Sequence, residues 1–402
     1  MRIAFISYEF PPDTGKGGIG TYIKQTATSI GNSGWEVHVF AGSNKETATK
    51  KIDNYFLHSI LCNDPYDFAI KVVSPFEIEH NVKTFDIIES PEIHGNALYI
   101  KKKFPAIPLV VRLHAPNYLV EHLKKKYIKL SAKLRFVAGS VRRLKFDLGY
   151  WRPYNKLADA DYQFIQLADG ITAPSESMKQ WAVKNWTIRP GKIKVIPNIF
   201  VAPISLSQMA IPVNNDFKRI VFFGRLNVLK GLVNASISMN KILKENPGWR
   251  FRVIGDDGPG PKNNISMKKW MMRNLHKVLN RVEFIDGLDY EKLPAAINDC
   301  EVVLLPSLFE SFSYTCAEAM AAGKAVVGSN NGGMADLIQD GKSGVLVNPE
   351  NETDIYVALK KIISDNEFRY SLSVQARKRI TEELDSNKIS SRLDAYYKSM
   401  IA

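Results

Sequence analysis

The chain predicts an α/β fold of two doubly wound lobes facing a central cleft, and three observations carry that prediction. Short apolar or β-branched runs alternate with helical patterns along nearly the whole length. The runs are continuously apolar, as parallel strands covered on both faces are. The 402 residues are too many for one ordinary core, since a domain holds roughly 100–200.

The first series of strands is expected at residues 3–7, 36–41, 86–89, 109–113, 170–173 and 194–196. Helical patterns such as 19–30 lie between them, and repeated βαβ alternation favours a parallel sheet. An irregular stretch follows, with Pro203, Pro212 and the polar run Asn214-Asn215-Asp216. The second series is expected at 219–223, 250–254, 282–285, 301–305, 325–328 and 345–347. The predicted domains are therefore 1–199, 200–386 and a C-terminal helix, 387–402, packing back toward the first lobe. Open α/β sheets bind ligands outside the carboxyl ends of their strands, so the loops after the strands should carry the chemistry.

Composition narrows the function. Hydrophobic residues are 45% and charged residues 24%, which excludes a disordered tail, a collagen-like fibre and a small disulfide scaffold. Cys62, Cys300 and Cys316 form no CxxC, which argues against a zinc ribbon and for a reducing compartment. Glu9 and Pro11-Pro12 arrive too early for a signal peptide, and no apolar run approaches the ~18 residues of a spanning helix. A cytoplasmic protein is the expectation.

Lys and Arg number 54 against 41 Asp and Glu, a net charge of +13. Residues 122–145 hold nine of those cations and no acid. Within and beyond them Tyr127, Leu130, Leu134, Val137, Val141, Leu144 and Leu148 recur at steps of three and four, an amphipathic helical stripe. Such a segment suits an anionic membrane surface, with the protein peripheral on its inner face. The plainer alternative is a helix packed on its own lobe with its charges solvated. A nucleic-acid partner is not expected, because Tyr127 and Phe136 are the only aromatics available for base stacking there.

The glycine-rich Gly15-Lys16-Gly17-Gly18-Ile19-Gly20 fits a dinucleotide fingerprint by letter. Its context fails: residues 10–15 separate it from the strand, and the second strand ends in Ala41-Gly42-Ser43 without an acid for a ribose. A mobile loop whose bare backbone at Gly17 and Gly18 approaches a phosphate or sugar at a helix start fits better. Gly341-Lys342-Ser343 is no P-loop, since Asp336 stands where its first glycine belongs. Asp159-Ala160-Asp161 lies in a helical pattern and reads as a solvated face rather than a metal-binding pair. HExxH and GxSxG are absent, leaving zinc proteolysis and α/β-hydrolase chemistry without support. No metal and no cofactor is expected.

The second lobe is more informative. Its first strand runs into Gly224-Arg225-Leu226, with Lys230-Gly231 following. Two cations on a strand-to-helix loop suit a diphosphate, Arg as a bidentate donor and Lys as a point charge. After the strand at 301–305 come Glu310 and Glu318. If Ser313 opens a helix, one acid can face a sugar and the other a ribose, because a carboxylate accepts from both hydroxyls of a vicinal diol. Backbone N–H groups at Phe312, Ser313 and Tyr314 would add phosphate donors. In the first lobe, His114 follows the strand at 109–113, and Glu89 and Glu92 follow that at 86–89 as candidate acceptor contacts.

Taken together, Gly224-Arg225-Leu226 with Lys230-Gly231, the Val253–Gly258 stretch, Glu310 and Glu318 with Ala319-Met320-Ala321, and Gly332-Gly333 with Asp336 resemble the family 4 retaining glycosyltransferases. In the first lobe Gly17-Gly18, the 168–175 stretch and Val195-Ile196-Pro197-Asn198 agree. The resemblance implies the GT-B architecture of two Rossmann-like lobes. It implies a nucleotide-sugar donor, a glycan or lipid-linked acceptor, and a role in cell-surface polysaccharide or glycolipid assembly. By the same resemblance Arg225 and Lys230 hold the diphosphate, Glu318 the ribose and Glu310 the sugar hydroxyls. Gly332 and Gly333 let backbone amides approach the donor, and His114 is the cleft histidine. His114, Arg225, Lys230 and Glu310 are thus the catalytic candidates, in a metal-independent, retaining hexosyl transfer. Two positions depart from the family pattern: Asp336 replaces a usual Glu, and Ser311 replaces a common Gly. A sugar-nucleotide epimerase or phosphorylase on the same fold, and a basic membrane- or nucleic-acid-binding module, are the competing readings.

Overall fold

A computed structural model describes every residue except 16, 129, 146, 214–216, 263–264 and 402. Lys129 of the basic run and Asn214 to Asp216 of the irregular stretch therefore lie outside the described residues. The chain divides into two compact units: Met1–Asn117 with Asn155–Val201 and Leu384–Ala402, and Tyr118–Tyr154 with Ala202–Glu383.

The first unit is built on eight strands: β1 (Arg2–Ser7), β2 (Glu36–Ser43), β3 (Ala48–Ile52), β4 (Tyr55–Leu61), β5 (Ile87–Pro91), β6 (Leu109–Arg112), β7 (Gly170–Ala173) and β8 (Ile193–Val195). Their order is β3-β4-β2-β1-β5-β6-β7-β8. All neighbours run parallel except the β3–β4 hairpin. The order reverses beside β1, the topological switch point where such sheets take ligands. β1, β5, β6 and β7 are buried along their whole length, which is why they are largely apolar, although β5 also buries Glu89 and Ser90. The β3–β4 pair is the part of the sheet that the sequence reading lacked. β3 reads Ala-Thr-Lys-Lys-Ile and lies at the sheet edge with its centre exposed, so it has no apolar run to betray it.

The helix Ser386–Ile401 closes this unit by burying Ile389, Leu393 and Tyr397. Trp35 donates to Asp394 at 2.7 Å, and Ser29 meets Ser390 at 2.8 Å. Arg392 donates to the Val195 carbonyl at 2.9 Å.

The second unit contains β9 (Arg219–Phe223), β10 (Arg250–Ile254), β11 (Val282–Ile285), β12 (Val302–Leu305), β13 (Ala325–Ser329) and β14 (Val345–Val347), in the order β11-β10-β9-β12-β13-β14. Every pairing is parallel. β9 sits between β10 and β12, so its switch point gathers the loops after β9, β12 and β13 at one edge. The segment Tyr118–Tyr154, expected in the first lobe, groups with this unit.

Candidate active site

The loop after β9 begins at Gly224, whose φ is +137°, and ends at Gly231, with φ +68°, before the helix Leu232–Glu245. Neither backbone suits a side chain. A Cβ on Gly231 would overlap the Pro306 carbonyl oxygen, so the loop presses against the segment that follows β12. The Leu308 N–H donates to the Leu229 carbonyl at 2.8 Å and fixes that contact. On the other side, the Leu226 N–H donates to Asp256 at 2.8 Å. Arg225 is exposed on this loop, and Lys230 is partly buried.

Glu310 lies in the loop after β12. Its carboxylate pairs with Lys230 and accepts from the Ser307 hydroxyl at 3.0 Å. Its backbone forms a parallel bridge with Gly332 and accepts from the Gly333 N–H at 2.6 Å. A Cβ at either glycine would overlap the backbone at 310–311, so close approach of two chains explains both residues. The structure therefore brings Lys230, Glu310, Gly332 and Gly333 together.

Ser313 caps the helix Tyr314–Ala321, accepting from the Cys316 N–H at 3.3 Å. Its φ of +83° is strained for a residue with a Cβ. Together with Phe312 and Tyr314 it sits where the chain turns into that helix. Glu318 is in the second turn and buried, with Tyr290 beside it. Burial pushes its carboxyl up to about 7. Sequence reasoning missed Tyr290. It lies in a short 3₁₀ turn after β11, and nothing in its local spacing marks it as a partner of Glu318.

The first unit holds the remaining candidates. Gly17 is the N-cap of the helix Gly18–Asn32 and supplies no side-chain cap. The loop before it is pinned by Thr14, whose hydroxyl donates to the Tyr8 carbonyl at 2.5 Å and accepts from the Phe10 N–H at 3.1 Å. His114 is buried after β6. Its Nδ1 meets the Arg112 carbonyl at 3.1 Å, so Nδ1 carries a proton, and in the neutral ring Nε2 presents a lone pair. Nε2 has no partner among the described residues. Tyr22 packs edge-on against the ring at 5.4 Å.

Glu89 and Glu92 differ from the expected acceptor contacts. Both are wholly buried. Glu89 accepts from the Tyr22 hydroxyl at 2.8 Å and the Tyr397 hydroxyl at 2.5 Å, and burial raises its carboxyl pKa. Glu92 accepts the His114 N–H on both oxygens at 2.9 Å. Each carboxylate is spent on internal donors, so these residues support the loops around them. Asp161 is likewise no solvated face. It is buried and accepts from the N–H groups of His94 at 3.2 Å and Asn117 at 2.9 Å. Asp159 caps the short helix Ala160–Ile165.

Comparison with known proteins agrees with this geometry. Residues 16–200 match the family described as Glycosyltransferase Family 4, and residues 207–379 match Glycosyl transferases group 1. A D-inositol 3-phosphate glycosyltransferase of Corynebacterium diphtheriae is 31% identical, over 94% of this chain and 90% of its own. Among solved structures, sucrose-phosphate synthase from Thermosynechococcus elongatus superposes with a TM-score of 0.73 at 18% identity, covering 100% of this chain and 99% of that one. Anabaena HepE in complex with UDP gives a TM-score of 0.68, also at 18% identity, over 99% of this chain and 100% of that one. At that identity the structures speak for the fold alone. The chain belongs to family 4 of the glycosyltransferases, and its two Rossmann-like units are those of the GT-B fold.

Proposed function

We propose that this glycosyltransferase moves a hexose from a nucleoside-diphosphate sugar to an acceptor hydroxyl with retention of anomeric configuration. The acceptor is a glycan or a lipid-linked molecule of cell-surface polysaccharide or glycolipid assembly. A lipid-linked acceptor would put the reaction at the cytoplasmic face of a membrane. One observation carries the reading: the β9 loop with Arg225 and Lys230 is locked against the loop bearing Glu310 and the Gly332-Gly333 turn.

In this reading Arg225 and Lys230 hold the diphosphate and stabilise the charge that builds on it as the glycosidic bond breaks. Those two cations and the amides at residues 312–314 take the place of a metal ion. The Lys230 ammonium, now on Glu310, is shared with the phosphates when donor binds, and the Glu310 carboxylate turns to the sugar hydroxyls. Glu318, once ionised, accepts from both ribose hydroxyls, and Tyr290 yields or shares that carboxylate. The lone pair at His114 Nε2 can accept from a sugar hydroxyl. The acceptor attacks from the leaving group's side, and a phosphate oxygen takes its proton.

The test is a thermal-shift screen of sugar nucleotides, followed by turnover with and without chelator and NMR of the product anomer. Stabilisation by a nucleoside diphosphate and its sugar is expected, with chelator-resistant turnover and a retained anomer. An inverted product, chelator-sensitive turnover or interconversion of free donor without acceptor would each count against the reading.

A further inference from the structure

The helix Leu130–Arg142 faces the wrong way for a soluble protein. At 100° per residue, Leu130, Leu134, Val137 and Val141 share one face. That face points to solvent: Leu130 is 63% exposed, Leu134 55% and Val141 53%. The opposite side carries Phe136, which packs edge-on against Tyr150 at 5.5 Å yet is still 37% exposed, and Ser140, which is buried. Lys133 flanks the apolar stripe on one side, and Arg135 and Arg142 on the other.

The stripe continues past the helix. Leu144 has a φ of +57° and is 97% exposed. Hydrogen bonds from its N–H to Val141 and from the Lys145 N–H to Ser140 hold it in a left-handed turn where glycine is usual. A leucine kept in a costly backbone conformation with its whole side chain in water is stabilised by neither packing nor propensity. The neck of this arm is closed by Tyr118 stacked on Tyr154 at 3.6 Å.

We propose that this arm docks on an anionic phospholipid bilayer. Leu130, Leu134, Val141 and Leu144 enter the acyl boundary, and the surrounding lysines and arginines meet the headgroups. Charge selects this occupant. Residues 122–145 contain no acid, so the partner surface has to be negative. A second copy of the chain on the same face would set this basic run against itself. Nucleic acid would need several exposed stacking platforms, and the helix offers a single aromatic, Phe136, which packs edge-on against Tyr150. No helix among the described residues is long and apolar enough to cross a membrane, so docking is interfacial. The proposal is compatible with a lipid-linked acceptor and does not require one.

The full chain is sedimented with phosphatidylcholine vesicles, with and without phosphatidylglycerol, in the absence of donor and acceptor. A failure here is thus separate from a failure of the proposed reaction. Binding is expected only with phosphatidylglycerol and should weaken with salt. Replacing Arg135, Arg142 and Arg143 together by Gln should lower it about 100-fold. The pair Leu134→Ser and Leu144→Ser should lower it at least ~10-fold. Cys62, Cys300 and Cys316 are all buried, so a polarity-sensitive dye on Val141→Cys reports on one place. Its emission should shift to the blue with phosphatidylglycerol vesicles, and the same dye on Lys184→Cys should not respond. Equal binding to neutral vesicles, unchanged binding in either variant, a silent probe or no binding at all would overturn the proposal. So would a dimer that the leucine variant dissociates while vesicles are ignored.

Discussion

The two units treat buried charge in opposite ways. In the first, the carboxylates near the carboxyl ends of the strands are closed by internal partners. Glu89 is held by Tyr22 and Tyr397, and Glu92 by the His114 backbone. Arg112 donates through Nη2 to the Ile196 carbonyl at 2.7 Å and to Asn198 at 2.6 Å and lies over the Tyr22 ring, while its Nε and Nη1 have no partner among the described residues. In the second, the equivalent edge leaves charge available. Arg225 is exposed, the side chains of Lys230 and Glu310 among the described residues hold each other and a serine hydroxyl, and Glu318 sits buried beside a tyrosine. A scaffold satisfies its own charges, whereas a ligand site keeps them partly unsatisfied until the ligand arrives.

The contrast breaks first at Arg112. Arg112→Met should cost about 3–5 kcal/mol of stability, because it strips a buried network of its only guanidinium and leaves Glu89 less compensated. Chemical denaturation measures this, and a loss under about 1 kcal/mol would show that the first unit's charges are not structural. Arg225→Ala should do the reverse, leaving stability within about 0.5 kcal/mol and lowering turnover ~100–1,000-fold. Steady-state kinetics beside a melting curve separates the two.

Glu318 sharpens the comparison through pH. Burial holds its folded pKa near 7, above that of the unfolded chain. The folded state therefore keeps a proton that the unfolded state releases, and stability falls as pH rises from the ordinary carboxylate range through about 7. If Glu318 binds the ribose as proposed, donor binding should strengthen over the same rise. Glu318→Gln should flatten both trends and weaken donor binding, as calorimetry across that range would show.

A smaller effect of opposite sign belongs to the first unit. His58 is held down to about 4 by burial beside His38 and Arg2. Its contribution is present above the ordinary histidine value of ~6.5 and is lost as pH falls toward about 4. His58→Phe should therefore gain stability relative to the parent as pH drops through that window, read as a narrowing difference in Tm. A constant difference would mean that His58 is not buried neutral.

Much of this was legible in the sequence, for physical reasons. Parallel strands covered on both faces leave continuous apolar runs, and the six expected in each series all form, with ends shifted by two residues at most. β3 escaped because an edge strand can carry lysines instead of an apolar run, and without it β4 was not recognised as half of a hairpin. In the second unit Lys230, Glu310 and the Gly332-Gly333 turn meet on neighbouring loops after their strands, which motif spacing can register. Glu89 could not be read correctly, because one of its partners, Tyr397, lies 308 positions away. The basic arm was visible as a stripe, but only coordinates show that the stripe faces water.

The most direct test of the central claim is a crystal structure with the nucleoside diphosphate that stabilises the protein most. The account predicts phosphate oxygens within hydrogen-bonding distance of both Arg225 and Lys230, and ribose hydroxyls on Glu318. A diphosphate lodged elsewhere, with Lys230 still paired to Glu310, would contradict it.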